Sequence, residues 1–146
     1  MRALGDSYVI GVQDPIQLGE NSEPQPDISV LRWRADRYAH AHPTPADVLL
    51  VVEVADSTVR RDRKSKLPLY ARAGIPEAWL VNIPDRRVEL HAEPVNGAYQ
   101  VVRVYQRGET VQAHTLPELS RVCVKRTYTG RKDICITLAI NGSDSF

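Results

Sequence analysis

Residues 46–83 read ADVLLVVEVADSTVRRDRKSKLPLYARAGIPEAWLVNI, an apolar run, a basic segment and a second apolar run. Val48 to Val54 is mostly β-branched or leucine and is bounded by Pro45 and Ser57. Such a run reads as a buried strand, and its near-continuous apolar character predicts that both sheet faces are covered. Glu53 interrupts it. An ionised carboxylate there is costly unless it is paired, binds a metal or reaches water at the strand end.

Helical spacing of Lys66, Leu69, Tyr70 and Ala73 follows, with Ser57, Thr58 or Asp62 as the N-cap and Gly74 as the stop. Pro68 is tolerated only early in a helix, so the regular part is expected to begin late, near Ser65. Arg60, Arg61, Arg63, Lys64, Lys66 and Arg72 stand against the single acid Asp62, a solvated face or a surface for phosphates. Pro76 to Ile83 reads as the second buried strand, with Trp79 and Leu80 packed on the helix and Tyr70 and Trp79 as core aromatics.

Outward from this unit, Ser7 to Val12 is a short strand and Gly19 to Pro26 a turn-rich loop, from which Asp27 opens the strand DISVLRW. Arg34 to Ala46 is a Pro-rich loop whose His40 and His42 are weak ground for a metal site. After Pro84-Asp85, the alternating strand from Arg87 to Ala92 and the strand from Tyr99 to Tyr105 flank Asn96-Gly97, a hairpin signal. Thr110 to Ala113 adds a short strand. The whole is an α/β mixed sheet with a crossover helix and an antiparallel extension.

A chain of 146 residues, 42% apolar and 25% charged, suits one domain with a core, and a net charge of +1 hides an acidic first segment beside a basic helix. No apolar stretch approaches the ~20 residues of a membrane span. Cys123 and Cys135 lack zinc-ligand spacing and read as free thiols, so a reduced, cytoplasmic location is expected.

Asp27, Glu53 and Lys66 together form a kit for metal-dependent phosphodiester hydrolysis. Carboxylates on adjacent strands suit a hard divalent cation, which acidifies water and polarises the phosphodiester, while a nearby lysine orients the water and offsets charge. At this point the chain resembles a known family. Gln25-Pro26-Asp27, Val52-Glu53-Val54-Ala55, Asp62 with Lys66 through Tyr70, and Gly74-Ile75-Pro76-Glu77-Ala78-Trp79-Leu80-Val81 stand in the order of the Uma-type restriction endonucleases of the PD-(D/E)XK nuclease superfamily. The resemblance covers roughly Gln13 to Leu119.

The resemblance implies a restriction-endonuclease-like mixed sheet, Mg²⁺ or Mn²⁺ held by Asp27 and Glu53, and DNA as substrate; the basic run of the helix then puts Arg60, Arg61, Arg63 and Lys64 on its phosphates. The superfamily's lysine position two residues after the acid is Ala55 here, so the basic residue is expected from the helix, as Lys66 with Lys64 as the substitute. Asp62 caps the helix or pairs with Lys66. Family members carry an N-terminal helix and strand ahead of the point where this chain starts. The expectation is therefore a sheet lacking that helix segment, one face partly uncovered and open to homodimer formation. Residues 1–119 are expected to form the nuclease-like domain and 120–146 a tail, with strand composition over Asp133 to Ile140. The alternatives are a catalytically inactive or truncated binding module on the nuclease fold, and a structural domain in which Glu53 and Lys66 satisfy each other.

Overall fold

The computed structural model describes residues 2–4, 7–106, 109–116, 119–126 and 134–140, with side chains over 7–106 and 109–116. Seven strands make the principal sheet: β1 (Arg2–Leu4), β2 (Tyr8–Val12), β3 (Ile28–Arg32), β4 (Val48–Ala55), β5 (Glu77–Asn82), β6 (Arg87–Val95) and β7 (Ala98–Gln106). Their spatial order equals their sequence order, and all neighbours are antiparallel except β4 and β5. A parallel pair cannot be joined by a tight turn. Helix α1 (Val59–Arg72) makes the crossover. This is the α/β mixed sheet with a crossover helix that the sequence predicts, with β1 as an unforeseen edge strand.

Alternation sorts the residues of the sheet into two cores. The α1 side holds Leu31, Val51, Ala55, Ala78 and Leu80 with Leu67, Tyr70 and Ile75. The far side holds Val30, Leu50, Val52, Trp79, Val81, Val88 and Leu90 under Val111, Ala113 and Leu116. The expectation that Trp79 and Leu80 both pack on the helix is corrected: consecutive strand residues point to opposite faces, so Leu80 meets α1 and Trp79 lies in the opposite core.

Helix α1 also starts earlier than expected. It is regular from Val59, with Pro68 inside it, rather than from near Ser65. Pro68 deprives the carbonyl of Lys64 of its helical donor, but Lys64 is exposed, where water can serve that oxygen. Burial of Leu67, Tyr70 and Ala71 around the proline holds the turn. The helix ends at Ala73 with Gly74 at φ 77°, and the N–H groups of Ile75 and Gly74 return to the carbonyls of Tyr70 and Ala71 at 3.1 Å each, a Schellman stop. Between β6 and β7, Asn96 and Gly97 take φ 51° and 79°, the left-handed pair that a tight hairpin needs.

A second, antiparallel sheet contains β8 (Val111–Gln112), β9 (Leu119–Arg126) and β10 (Ile134–Ile140) in the order β10-β9-β8. Strand β9 begins at Leu119, the expected end of the nuclease-like unit, and pairs back to β8 inside it. The side chains of Cys123 and Cys135 lie outside those described. Among the described residues no helix is long and apolar enough to cross a membrane.

Candidate active site

The strand register gathers the expected acids. Ile28 pairs with Val52, so continuing the antiparallel ladder by one residue sets Asp27 opposite Glu53. Beyond them the same row runs through Leu80 of β5 to Glu89 of β6. Asp27 Oδ2 accepts the Val54 N–H at 2.7 Å, which holds this carboxylate against β4 beside Glu53. The Asp27 carbonyl accepts the Gln13 N–H at 3.1 Å, so Gln13 borders the site through its backbone.

Glu53 is 3% exposed. Its Oε2 accepts from Lys66 Nζ at 3.2 Å and its Oε1 from the Tyr70 hydroxyl at 2.5 Å. Burial pushes the Glu53 carboxyl above its usual range; Tyr70 and Lys66 oppose that rise, and the charge of Asp27 adds to it. Burial opposes the charge on Lys66, but Glu53, Asp62 and Asp27 outweigh it and raise its pKa. Burial, then Glu53, drives the Tyr70 hydroxyl well above its usual range, so it remains a proton donor. Asp62 is buried as well, accepting from Thr58 Oγ1 at 3.0 Å and lying 3.6 Å from Lys66 Nζ. Of its two expected roles it takes the pairing with Lys66; the N-cap position is Thr58, which makes no side-chain cap hydrogen bond.

Of the two candidate lysines, Lys66 reaches Glu53. Lys64 is exposed, because residues two apart on a helix point roughly 200° apart. Arg60 and Arg61 are exposed on the first turns of α1 and make no ion pair among the described residues. Arg63 turns inward instead. Its guanidinium grips both oxygens of Glu89, with Nε at 3.2 Å. His40 and His42 are exposed in the loop after β3.

Sequence reasoning missed Glu89 and His91. Both are buried on the α1 face, and His91 Nε2 stands 3.3 Å from Glu89 Oε1. A carboxylate partner selects the tautomer with the proton on Nε2. Burial opposes ionisation of Glu89, but Arg63 and then His91 overcome it and hold the carboxyl below its usual range. Burial holds His91 below its usual 6.5, with Glu89 opposing.

Both folded-state pKa values are depressed, so the unfolded chain binds more protons as pH falls. The stability these groups supply is complete above 6.5 for His91 and above 4.5 for Glu89, and is lost as pH drops through their folded values. These two groups should therefore lower the melting temperature from pH 7 downward, opposed by Glu53, whose raised carboxyl favours the folded state as pH falls, and His91→Gln should remove the His91 part of the decline between pH 7 and 5. An unchanged pH profile in that variant would refute the assignment.

A cleft of about 410 Å³ opens beyond the carboxyl ends of β4 and β5 and is lined by Ser57, Arg60, Arg63, Asn82, Asp85 and Arg87 among others. The crevice outside the strand ends of an α/β crossover is a common ligand position. Arg87 pairs with Asp85 at 3.6 Å, and its buried Nε has no hydrogen-bond partner among the described residues.

The donor set decides which metal would fit. Among the described residues no three His, Cys, Asp or Glu side chains form a metal cluster, which excludes a closed zinc-type cage there. Neighbouring carboxylates, Asp27 just before β3 and Glu53 on β4 facing a cation already, fit a hard ion such as Mg²⁺, which takes one or two carboxylates and fills its other positions with water and substrate oxygens. Asp27 and Glu53 would be its protein ligands.

The mixed sheet and its crossover helix make an α/β protein of the restriction-endonuclease-like class. The chain belongs to the Uma2 family, described as "Putative restriction endonuclease", whose profile matches residues 1–126. Among solved structures it is similar to one titled as a "putative nuclease belonging to DUF820" from Anabaena variabilis, with a TM-score of 0.54 and 15% identity over 74% of this chain. The match spans about 60% of that protein's chain. No curated protein matches.

Proposed function

We propose that the chain is a Mg²⁺-dependent endonuclease that hydrolyses phosphodiester bonds in DNA, with its catalytic unit in residues 1–119. The observation that carries this reading is the meeting of Asp27 just before β3, Glu53 on β4 and Lys66 on α1 toward one end of β4. Asp27 and Glu53 hold the cation. Lys66 orients the attacking water and offsets charge on the phosphate. The bound ion supplies a more acidic water and a polarised phosphodiester.

Arg60, Arg61 and Lys64 project from the exposed side of α1 to meet the DNA backbone. The adjoining cleft, with Arg60, Arg63 and Arg87 in its walls, seats a neighbouring phosphate. Arg63 serves mainly by locking Glu89 and contacts phosphate only with its outward edge. Affinity for DNA is expected to fall with salt, and each phosphate contact removed from Arg60, Arg61 or Lys64 should lower the slope of log K against log salt by about 1.

The test is nicking of supercoiled plasmid with Mg²⁺ or Mn²⁺ by wild type and Glu53→Ala. Metal-dependent nicking that the substitution abolishes supports the reading. A folded wild-type protein that retains DNA yet never nicks it would replace this reading with a non-catalytic binding module.

A further inference from the structure

Thr58, Asp62, Lys66 and Tyr70 recur every four residues along one side of α1: Thr58 bonds Asp62, Asp62 pairs with Lys66, and Lys66 and Tyr70 each bond Glu53. The line does not grip Glu53 evenly. Lys66 has a flexible stem and a side chain 41% exposed, and it already lies 3.6 Å from a second carboxylate, Asp62. Tyr70 is fully buried among Leu67, Ile75 and Leu80, and its hydroxyl has Glu53 Oε1 as its hydrogen-bond acceptor.

A divalent cation and an ammonium cannot share one carboxylate oxygen without strong repulsion. Lys66 can yield by shifting to Asp62. Tyr70 cannot yield without stranding a buried hydroxyl. We propose that Tyr70 is the positioning residue that keeps Glu53 oriented for a divalent cation, and that Lys66 is a placeholder handed over to Asp62 when that cation arrives. The proposal rests on the nuclease reading, because it assigns Glu53 as a ligand. It gives the four-residue stripe a purpose: the hydroxyl fixes the carboxylate, the ammonium keeps it paired while metal is absent, and Asp62, held by Thr58, is the ammonium's second seat.

The experiment is binding of Mn²⁺ alone, without DNA, followed by electron paramagnetic resonance or calorimetry on the full chain. It compares wild type, Tyr70→Phe, Lys66→Met, Glu53→Gln and Leu67→Ala, each checked for folding by circular dichroism. Tyr70→Phe keeps the ring and loses one oxygen; its affinity should drop about 10- to 100-fold, the range for lost hydrogen bonds to metal ligands. Lys66→Met should bind Mn²⁺ as well as wild type or several-fold better, since the competing ammonium is gone. Leu67→Ala loosens the same helix without touching Glu53 and should bind as wild type.

Binding within twofold of wild type in Tyr70→Phe would overturn the positioning role, as would an equal loss in Leu67→Ala. Loss of binding in Lys66→Met would overturn the handover. Undiminished binding in Glu53→Gln would instead overturn the nuclease site itself, an outcome separate from the others.

Discussion

Lys66→Ala is expected to leave Mn²⁺ and DNA binding in place while slowing plasmid cleavage by about 10²- to 10⁴-fold, the usual range for losing a positioned acid–base group. Lys66 is the cationic side chain on Glu53, and Asp62 and Asp27 join Glu53 in keeping it charged. Seated on Asp62 once the cation is bound, the ammonium donates to a water or to a phosphate oxygen. Alanine offers neither contact and leaves Glu53 with Tyr70 alone. Loss of fold is a smaller concern, because Lys66 is 41% exposed and water can partly replace it around the carboxylate. Lys66→Arg should recover little: a planar fork cannot take the place of a compact ammonium on a single oxygen. Lys64→Ala, on the exposed side of α1, should cleave nearly as wild type. Wild-type cleavage by Lys66→Ala, or an equal loss in Lys64→Ala, would remove Lys66 from the chemistry.

What was legible in the sequence follows from the range of each signal. The strand–helix–strand unit, the odd carboxylate at Glu53 and the Asn96-Gly97 hairpin are local patterns, and the structure has all three. Lys66 could be preferred over Lys64 only through the resemblance, because periodicity says that the two diverge and not which one faces in. The sequence marks Tyr70 as a core aromatic, which its burial bears out, but its hydroxyl meets a carboxylate 17 residues away. No helical pattern reports such a meeting.

Glu89 was hidden for a related reason. In the alternating strand around it, Glu89 and His91 sit where a half-exposed strand would place its solvent side. Here that side lies under α1, and Arg63 descends from the helix to neutralise the acid. Sequence alone therefore groups Arg63 with the phosphate-facing residues, although two of its donors are spent on Glu89. The late helix start failed because proline propensity is a local prior, and tertiary burial of the turn around Pro68 overrides it.

Glu77→Met should be the most destabilising single change outside the apolar core, at about 2–5 kcal/mol from two stranded donors. That corresponds to a fall in melting temperature on the order of 10 °C for a domain of this size. Glu77 is fully buried at the start of β5. Its Oε2 accepts from the Trp79 indole N–H at 2.6 Å, and its Oε1 accepts from the Thr115 backbone N–H at 2.7 Å. One carboxylate thus satisfies a donor within the far-side core and ties the segment carrying Ala113 and Leu116 over it. Methionine matches the volume but offers no comparable acceptor, so both N–H groups stay buried and unpaired. Glutamine should be nearly as harmful, because its NH₂ must face one of two donors. Removing the indole N–H as well, in Glu77→Met with Trp79→Phe, should cost less than the sum of the single changes, since one stranded donor disappears with its acceptor. Additive losses in that cycle would mean that the Glu77–Trp79 bond contributes nothing, and the clamp would then rest on Thr115 alone. The site residues Asp27, Glu53 and Lys66 are not among Glu77's partners, so cleavage per folded molecule, measured well below the lowered melting temperature, should stay near wild type.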